Sequence, residues 1–286
     1  MESYQPPKLR GYKILRKLGE GGYGAVYLAT SKKTGEKVAI KFLTFRKVKR
    51  TKESEAKLKK EINVLKKLSV SPNCEPYLLC FVDHKAIQKG EETTYAIITE
   101  YIDGNDLFDL THCLKETKKT LSEENLITLA THLVAGLAKM HEKGISHGDI
   151  KPENIMFTDK RLAIKIIDFG GACVLSNPLN CPKDIAITKG FFDIFALQIA
   201  YQSSSKPVIQ RCLKAMDVYA LGKTIWELAS LKDAQEYYEQ KKEPEPIFKW
   251  GYSKNLSKII SGMVNEDYRI RLTAEEALEA LQKLAK

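Results

Sequence analysis

Gly19, Gly21 and Gly24 stand at GxGxxG spacing, and the apolar run that follows, Ala25 to Ala29, continues as a strand instead of opening a helix. That continuation constrains the fold more than any other feature of the chain. Glycines let a hairpin bring backbone N–H groups close to phosphate oxygens, because no side chain stands between them. The same spacing in a dinucleotide-binding fold leads straight into a helix. Here the pattern predicts a strand–turn–strand lying over phosphates.

Val38, Ala39, Ile40 and Lys41 form the next strand and end it on a lysine. A lysine among apolar strand residues needs a partner if it is buried. Glu61 is the best candidate. It lies at the apolar edge of a helix in which Leu58, Ile62, Leu65 and Leu68 recur at helical spacing, with Lys59, Lys60, Lys66 and Lys67 opposite. From Tyr12 to about Ile102 the chain is strand-like and turn-rich, and Tyr95 to Glu100 is another short apolar run.

After Asp103 and Gly104 the pattern becomes mainly helical. Ser122 is a good N-cap, Glu123 and Glu124 suit the positive helix start, and Gly144 ends the stripe of Leu126, Ala130, Leu133, Leu137 and Met140. Val218, Leu221, Ile225 and Leu228 make another stripe. Thr273 and Glu276 form a capping box ahead of Leu278, Leu281 and Leu284.

Between the first two helical stripes the chain reads His147, Gly148, Asp149, Ile150, Lys151, Pro152, Glu153, Asn154, and then Ile166, Ile167, Asp168, Phe169, Gly170. Two carboxylates and an amide on neighbouring loops meet what phosphoryl transfer requires: one group to receive or orient a hydroxyl proton and two oxygen ligands for Mg²⁺. Lys151 stands where it can neutralise the moving phosphate.

Together these segments resemble the eukaryotic-type serine/threonine protein kinase catalytic domain, from about Tyr12 to the end. The resemblance implies an α+β, bilobal protein kinase-like fold after a short tail at 1–11. The small sheet-rich lobe would run over about 12–102 and the larger helical lobe over about 103–286. It implies ATP and Mg²⁺ as cofactors and a protein substrate with a serine or threonine acceptor. Asp149 would be the catalytic base, with Lys151, Lys41 and Glu61 as the other catalytic residues and Asn154 and Asp168 on the metal. The nucleotide would be held by Leu18, Gly19, Glu20, Gly21, Gly22, Tyr23, Gly24, Val26, Ala39, Lys41, Thr99, Glu100, Ile102, Asp106 and Met156. Of these, Thr99 resembles the gatekeeper, Glu100 C=O and Ile102 N–H meet the adenine edge, and Asp106 meets the ribose. Asp217, in Asp217 to Gly222, resembles the aspartate at the start of the family's buried helix that ties down the catalytic loop.

The chain also departs from the family. Gly148 occupies the position where protein kinases commonly carry an arginine that receives a loop phosphate, so activity independent of such phosphorylation is expected. Between Asp168 and Asp217 no APE triplet appears. The nearest match, Ala196, Leu197 and Gln198, would leave Arg271 without its usual carboxylate and put Phe191 where a threonine contacting the catalytic loop is expected. His147, Gly148 and Asp149 also form the triplet of aminoglycoside and choline kinases, which makes a small-molecule kinase one alternative. An ATP-binding pseudokinase scaffold is another, although Lys41, Asp149, Asn154 and Asp168 are all present.

Composition narrows the remaining classes. The chain has 46 basic against 36 acidic residues, a net charge of +10 that favours acidic partners through long-range attraction. The densest basic stretch, Arg46 to Lys60, lacks the interleaved aromatics that stack on bases, so it reads as a solvated face and no nucleic acid is expected. Cys74, Cys80, Cys113, Cys173, Cys181 and Cys212 form no CxxC pair and are expected as reduced thiols. Met1 to Arg10 has no apolar core of signal-peptide length, and no stretch approaches a membrane span. The expectation is a cytoplasmic protein with no membrane partner, in the host cytoplasm if the chain is a viral or bacterial effector. The sequence leaves the oligomeric state unassigned.

Overall fold

The computed structural model describes residues 6–21, 24–46, 52–90, 92–158, 163–183 and 188–285. The chain separates into two compact units, one of residues 1–75 and 79–103 and the other of residues 76–78 and 104–286. The fold is α+β, with the five-stranded sheet in the first unit and most helices in the second.

In the first unit five antiparallel strands, β1 (Tyr12–Gly21), β2 (Gly24–Ser31), β3 (Lys37–Arg46), β4 (Phe81–Lys89) and β5 (Glu92–Glu100), lie in the order β1-β2-β3-β5-β4. Side chains alternate across a strand. One face therefore carries Ala25, Tyr27, Ala29, Val38, Ile40, Phe42, Ala96 and Ile98, which pack with Leu9 into a core. The opposite face carries Val26, Leu28, Ala39, Lys41, Ile97 and Thr99. Helix α1 (Lys52–Leu68) buries Leu58, Ile62, Leu65 and Leu68, as the spacing predicted. Each such side chain contributes roughly 1.5–3 kcal/mol.

The second unit is built around α3 (Glu123–Glu142) and α5 (Lys206–Ser230). Ser122 caps α3 by accepting from Asn125 N–H. The final helix α8 (Ala274–Leu284) carries the capping box of Thr273 and Glu276 and packs on α3. The other helices are α2 (Leu107–Glu116), α4 (Ile194–Gln202), α6 (Ala234–Glu239) and α7 (Lys254–Met263). Two small sheets complete the unit. Strands β6 (Asn105–Asp106), β8 (Ile155–Thr158) and β9 (Ala163–Ile166) form one, and β7 (Ile145–Ser146) pairs with β10 (Cys173–Val174) in the other.

Two expectations are corrected. Helix α5 begins at Lys206, so Asp217 lies in its middle and not at its start. The helix is buried almost all round from Cys212 to Ser230, which a single apolar stripe did not convey. The reduced-thiol expectation also fails: Cys74 is bonded to Cys80 and Cys173 to Cys181, with Cα atoms 5.4 Å and 5.7 Å apart. Local turns fold each pair together at separations outside the CxxC pattern, while Cys113 and Cys212 stay free. Among the described residues no helix is long and apolar enough to cross a membrane.

Candidate active site

The glycine hairpin forms as the sequence indicated. Gly19 faces Val26, Glu20 faces Ala25 and Gly21 faces Gly24 across β1 and β2. Leu18 lies in β1 beside Lys17, which pairs with Glu20. Gly22 and Tyr23, also expected at the nucleotide, lie outside the described residues. The glycines have different reasons. At Gly24 a Cβ would stand 2.1 Å from Phe42 O, so the fold itself demands glycine. At Gly19 a Cβ would meet nothing within 4 Å, so no contact inside the protein requires one there.

Strand register gathers the other first-unit candidates on one sheet face. Lys41 stands between Val26 on β2 and Ile97 on β5, and Ala39 stands between Leu28 and Thr99. Lys41 Nζ donates to Glu61 Oε1 at 2.9 Å, and both side chains are largely buried, so the lysine has the partner its environment demands. Glu100 ends β5 and is locked to Cys80: its N–H donates to Cys80 O, and its Oε1 accepts Cys80 N–H at 2.8 Å. Ile102 follows in the same unit.

The second unit holds the rest. Asp106 accepts from Asp109 N–H at 2.8 Å and so caps α2, leaving one carboxylate oxygen outside that bond. Burial, more than that hydrogen bond offsets, pushes its carboxyl up from the usual range. Met156 on β8 faces Asp106 across the β6–β8 pair.

The segment from His147 to Asn154 is held from behind by α5. Asp217 Oδ2 accepts His147 N–H at 2.8 Å and sits 2.9 Å from His141 Nε2, while Oδ1 accepts Gly148 N–H at 2.9 Å. His147 Nδ1 accepts from Asp149 N–H and Nε2 lies 3.1 Å from Ile167 O. This assigns the proton to Nε2 and links the two motif-bearing loops. Gly148 has φ +76°, and a Cβ there would meet Gly171 O at 2.6 Å. The glycine in the place of arginine is therefore a backbone requirement as well as a lost charge.

Asp149 is fixed through both oxygens. Oδ1 accepts from Thr188 Oγ1 at 2.9 Å, and Oδ2 accepts from Asn154 Nδ2 at 3.0 Å and lies 3.0 Å from Lys151 Nζ. Lys151 Nζ also reaches Thr188 Oγ1 at 3.4 Å. Asn154 Nδ2 spends its second proton on Asp149 O at 2.8 Å. Its carbonyl oxygen is thereby turned away from these partners. Asp168 is exposed, with φ +57°, a conformation aspartate tolerates better than most residues, and its Oδ1 accepts Gly170 N–H. An amide oxygen and a carboxylate make a hard, oxygen-only donor set of the kind Mg²⁺ takes when phosphates and water complete its shell.

Two residues were missed by sequence reasoning. The threonine that contacts the catalytic loop is Thr188, through Asp149 and Lys151, not a position lost to Phe191. Arg271 has its carboxylate as well: Arg271 NH2 donates to Asp193 Oδ2 at 2.6 Å, with both side chains buried. Asp193 Oδ1 meanwhile caps α4, accepting from Phe195 and Ala196 N–H. The alignment of Ala196, Leu197 and Gln198 looked inside a helix for a residue that stands at its cap. An aspartate directly before the run Ile194 to Leu197 was the available signal.

Residues 12–281 match the family described as protein kinase domain. The chain is 27% identical over 292 residues to the serine/threonine-protein kinase Nek11 of Homo sapiens, covering 94% of this chain and 40% of that protein. It is 27% identical over 289 residues to the serine/threonine-protein kinase Nek2 of Mus musculus, covering 96% and 60%. Over 161 residues it is 30% identical to calcium-dependent protein kinase 27 of Arabidopsis thaliana, covering 56% and 31%. The chain thus spans less than two thirds of the length of these relatives.

Proposed function

Because the chain belongs to the protein kinase family, we propose that it transfers the γ-phosphoryl group of ATP to serine or threonine hydroxyls of proteins. The observation that carries this reading is the fixing of Asp149 through both oxygens by Thr188, Asn154 and Lys151. A general base must be held within hydrogen-bond reach of the proton it takes. An aspartate steadied by three side chains has little freedom to lose when substrate arrives.

In the proposed reaction the acceptor hydroxyl oxygen bonds to the γ-phosphorus as the bond from that phosphorus to the β–γ bridging oxygen breaks. ADP leaves, and Asp149 receives the hydroxyl proton. Lys151 neutralises charge on the moving phosphoryl group. Lys41, oriented by Glu61, grips the α- and β-phosphates, and backbone N–H groups of the glycine hairpin approach phosphate oxygens where Gly19 presents no side chain. Val26, Ala39 and Met156 pack on adenine, the Glu100 and Ile102 backbone pairs with its edge beside Thr99, and Asp106 bonds the ribose. Asn154 Oδ1 and the Asp168 carboxylate would hold Mg²⁺, which when bound neutralises phosphate charge.

The test is transfer from labelled ATP with Mg²⁺ to a mixed protein panel and, separately, to aminoglycosides and choline, with nucleotide binding measured in parallel. Asp149→Asn is expected to lower turnover by about 10²–10⁴-fold while leaving nucleotide affinity within a few-fold. Asp168→Ala is expected to weaken Mg²⁺-dependent nucleotide binding as well. Label confined to small molecules, or nucleotide binding without any transfer, contradicts the reading.

A further inference from the structure

We propose that Cys173 and Cys181 form a redox-modification site that controls whether the segment carrying Thr188 is held on Asp149. The two ends of the bridge are anchored unequally. Cys173 lies in β10, opposite Ser146 of β7, directly before His147. The next residue but one, Leu175, donates its N–H to Gly144 O at 2.8 Å. This end is therefore tied to the strand that leads into the catalytic loop. Cys181 sits in a short 3-10 segment of about two turns, Pro178–Lys183, where the other interaction seen for its sulfur is a long contact to Asn177 O.

The bridge is buried with the elements that carry the rest of the site. Cys173 and Cys181 pack with Ala196 and Ala200 of α4 and with Ile209, Cys212, Leu213 and Met216 of α5. Asp193, the cap of α4, holds Arg271, and Asp217, one residue past Met216, holds the loop of Asp149. Thr188 stands seven residues beyond Cys181. With the bridge closed, Thr188 and Lys151 both engage Asp149. Opening it removes the covalent tie between the strand beside the catalytic loop and the segment from which Thr188 reaches back.

Cys212 belongs to the same cluster but does not compete for the bridge. Burial pushes its thiol up, and the thiolate is the attacking species. The redox partner is a low-molecular-weight dithiol. One of its thiolates attacks Cys181 Sγ and forms a mixed disulfide, and Cys173 leaves as a thiolate that takes up a proton. The second thiol of the reagent then displaces Cys181 and closes the reagent's own disulfide, so two electrons and two protons pass to the protein. A low-molecular-weight disulfide reverses the sequence and leaves as two thiols.

This inference rests on the phosphotransfer reading only for its activity readout. The experiment compares the chain treated with dithiothreitol and with oxidised glutathione, with bridge status read by alkylation and mass spectrometry. Turnover and backbone amide exchange over residues 188–197 are measured in each state. The parent is expected to lose roughly tenfold or more in kcat on reduction, since small displacements at a reacting group cost that much. Exchange at Phe191, Ala196 and Leu197 is expected to accelerate. Cys181→Ala and Cys173→Ser should each sit at the reduced level and ignore both reagents, whereas Cys74→Ser with Cys80→Ser should keep the full response. An exchange response without transfer in either state upholds the inference and defeats the phosphotransfer reading. Turnover and exchange that are both indifferent to bridge status overturn the inference.

Discussion

A Cβ at position 148 would have to occupy space 2.6 Å from Gly171 O, on a backbone already at φ +76°. Restoring an arginine there would therefore not restore a phosphate receptor. Gly148→Arg is expected to cost about 1–3 kcal/mol of stability from backbone strain and crowding. It should lower turnover too, because Gly148 N–H is one of the bonds by which Asp217 positions the loop. Denaturant unfolding and a kinase assay on the variant would check both. A second residue-scale prediction concerns Glu227 and Lys223, buried one turn apart in α5. Burial pushes Glu227 up to about 7 and Lys223 down to about 8. Since the folded state holds the Glu227 proton more tightly than the unfolded chain does, this contribution is complete below about pH 4.5 and fades as pH rises to about 7. The loss is up to roughly 3 kcal/mol. Lys223 acts in the other window, where stability recovers as pH climbs from about 8 toward 10.5. Unfolding free energies measured from pH 5 to pH 8 should fall in the parent and stay level in Glu227→Gln, which can still accept the Ala234 N–H that Glu227 holds.

At the scale of elements, Asp193 joins two jobs that can be separated by mutation. Oδ1 caps α4 and Oδ2 neutralises a buried arginine whose other donors reach Asn265 O, Ala215 O and Glu266 O. Asp193→Asn can keep the cap but leaves Arg271 uncompensated, for an expected loss of about 3 kcal/mol. Asp193→Ala should lose about 1 kcal/mol more with the cap. A double-mutant cycle with Arg271 would expose the coupling, and additive effects would contradict the pairing. The same residue shows why parts of the site could be read in the sequence and parts could not. The hairpin, the α1 stripe and both N-caps at Ser122 and Thr273 follow from local spacing, because their partners lie at the interval the pattern itself sets. The Lys41–Glu61 pair, 20 residues apart, follows from the need of a lysine among apolar strand residues for an acid on an apolar helix edge. Thr188 and Asp193 act through residues 39 and 78 positions away in sequence, and no local pattern encodes such distances. The two bridges escaped for a related reason. Separations of 6 and 8 carry no metal or redox signature, and only the turns between the cysteines bring them together.

Taken whole, the molecule carries a net charge of +10. Long-range attraction should then raise kcat/KM for acidic acceptor proteins at low salt and fade as ionic strength shortens the screening length to about 8 Å near 0.15 M. Salt titrations with acidic and neutral acceptors should diverge, and parallel lines would remove charge steering as a factor. The division of the chain has a practical consequence for anyone cutting it. Residues 76–78 count with the second unit although they are enclosed in sequence by the first. Tyr77 O receives Ile166 N–H, Leu78 O receives Lys165 Nζ, and the Tyr77 ring stacks on His132. A fragment begun at Gly104 would thus bare the edge of β9 and one side of α3, and a fragment ended at Asp103 would carry three residues whose partners are gone. Dissection at a single junction yields two damaged pieces, and separate expression of the second unit calls for grafting that tripeptide back onto it.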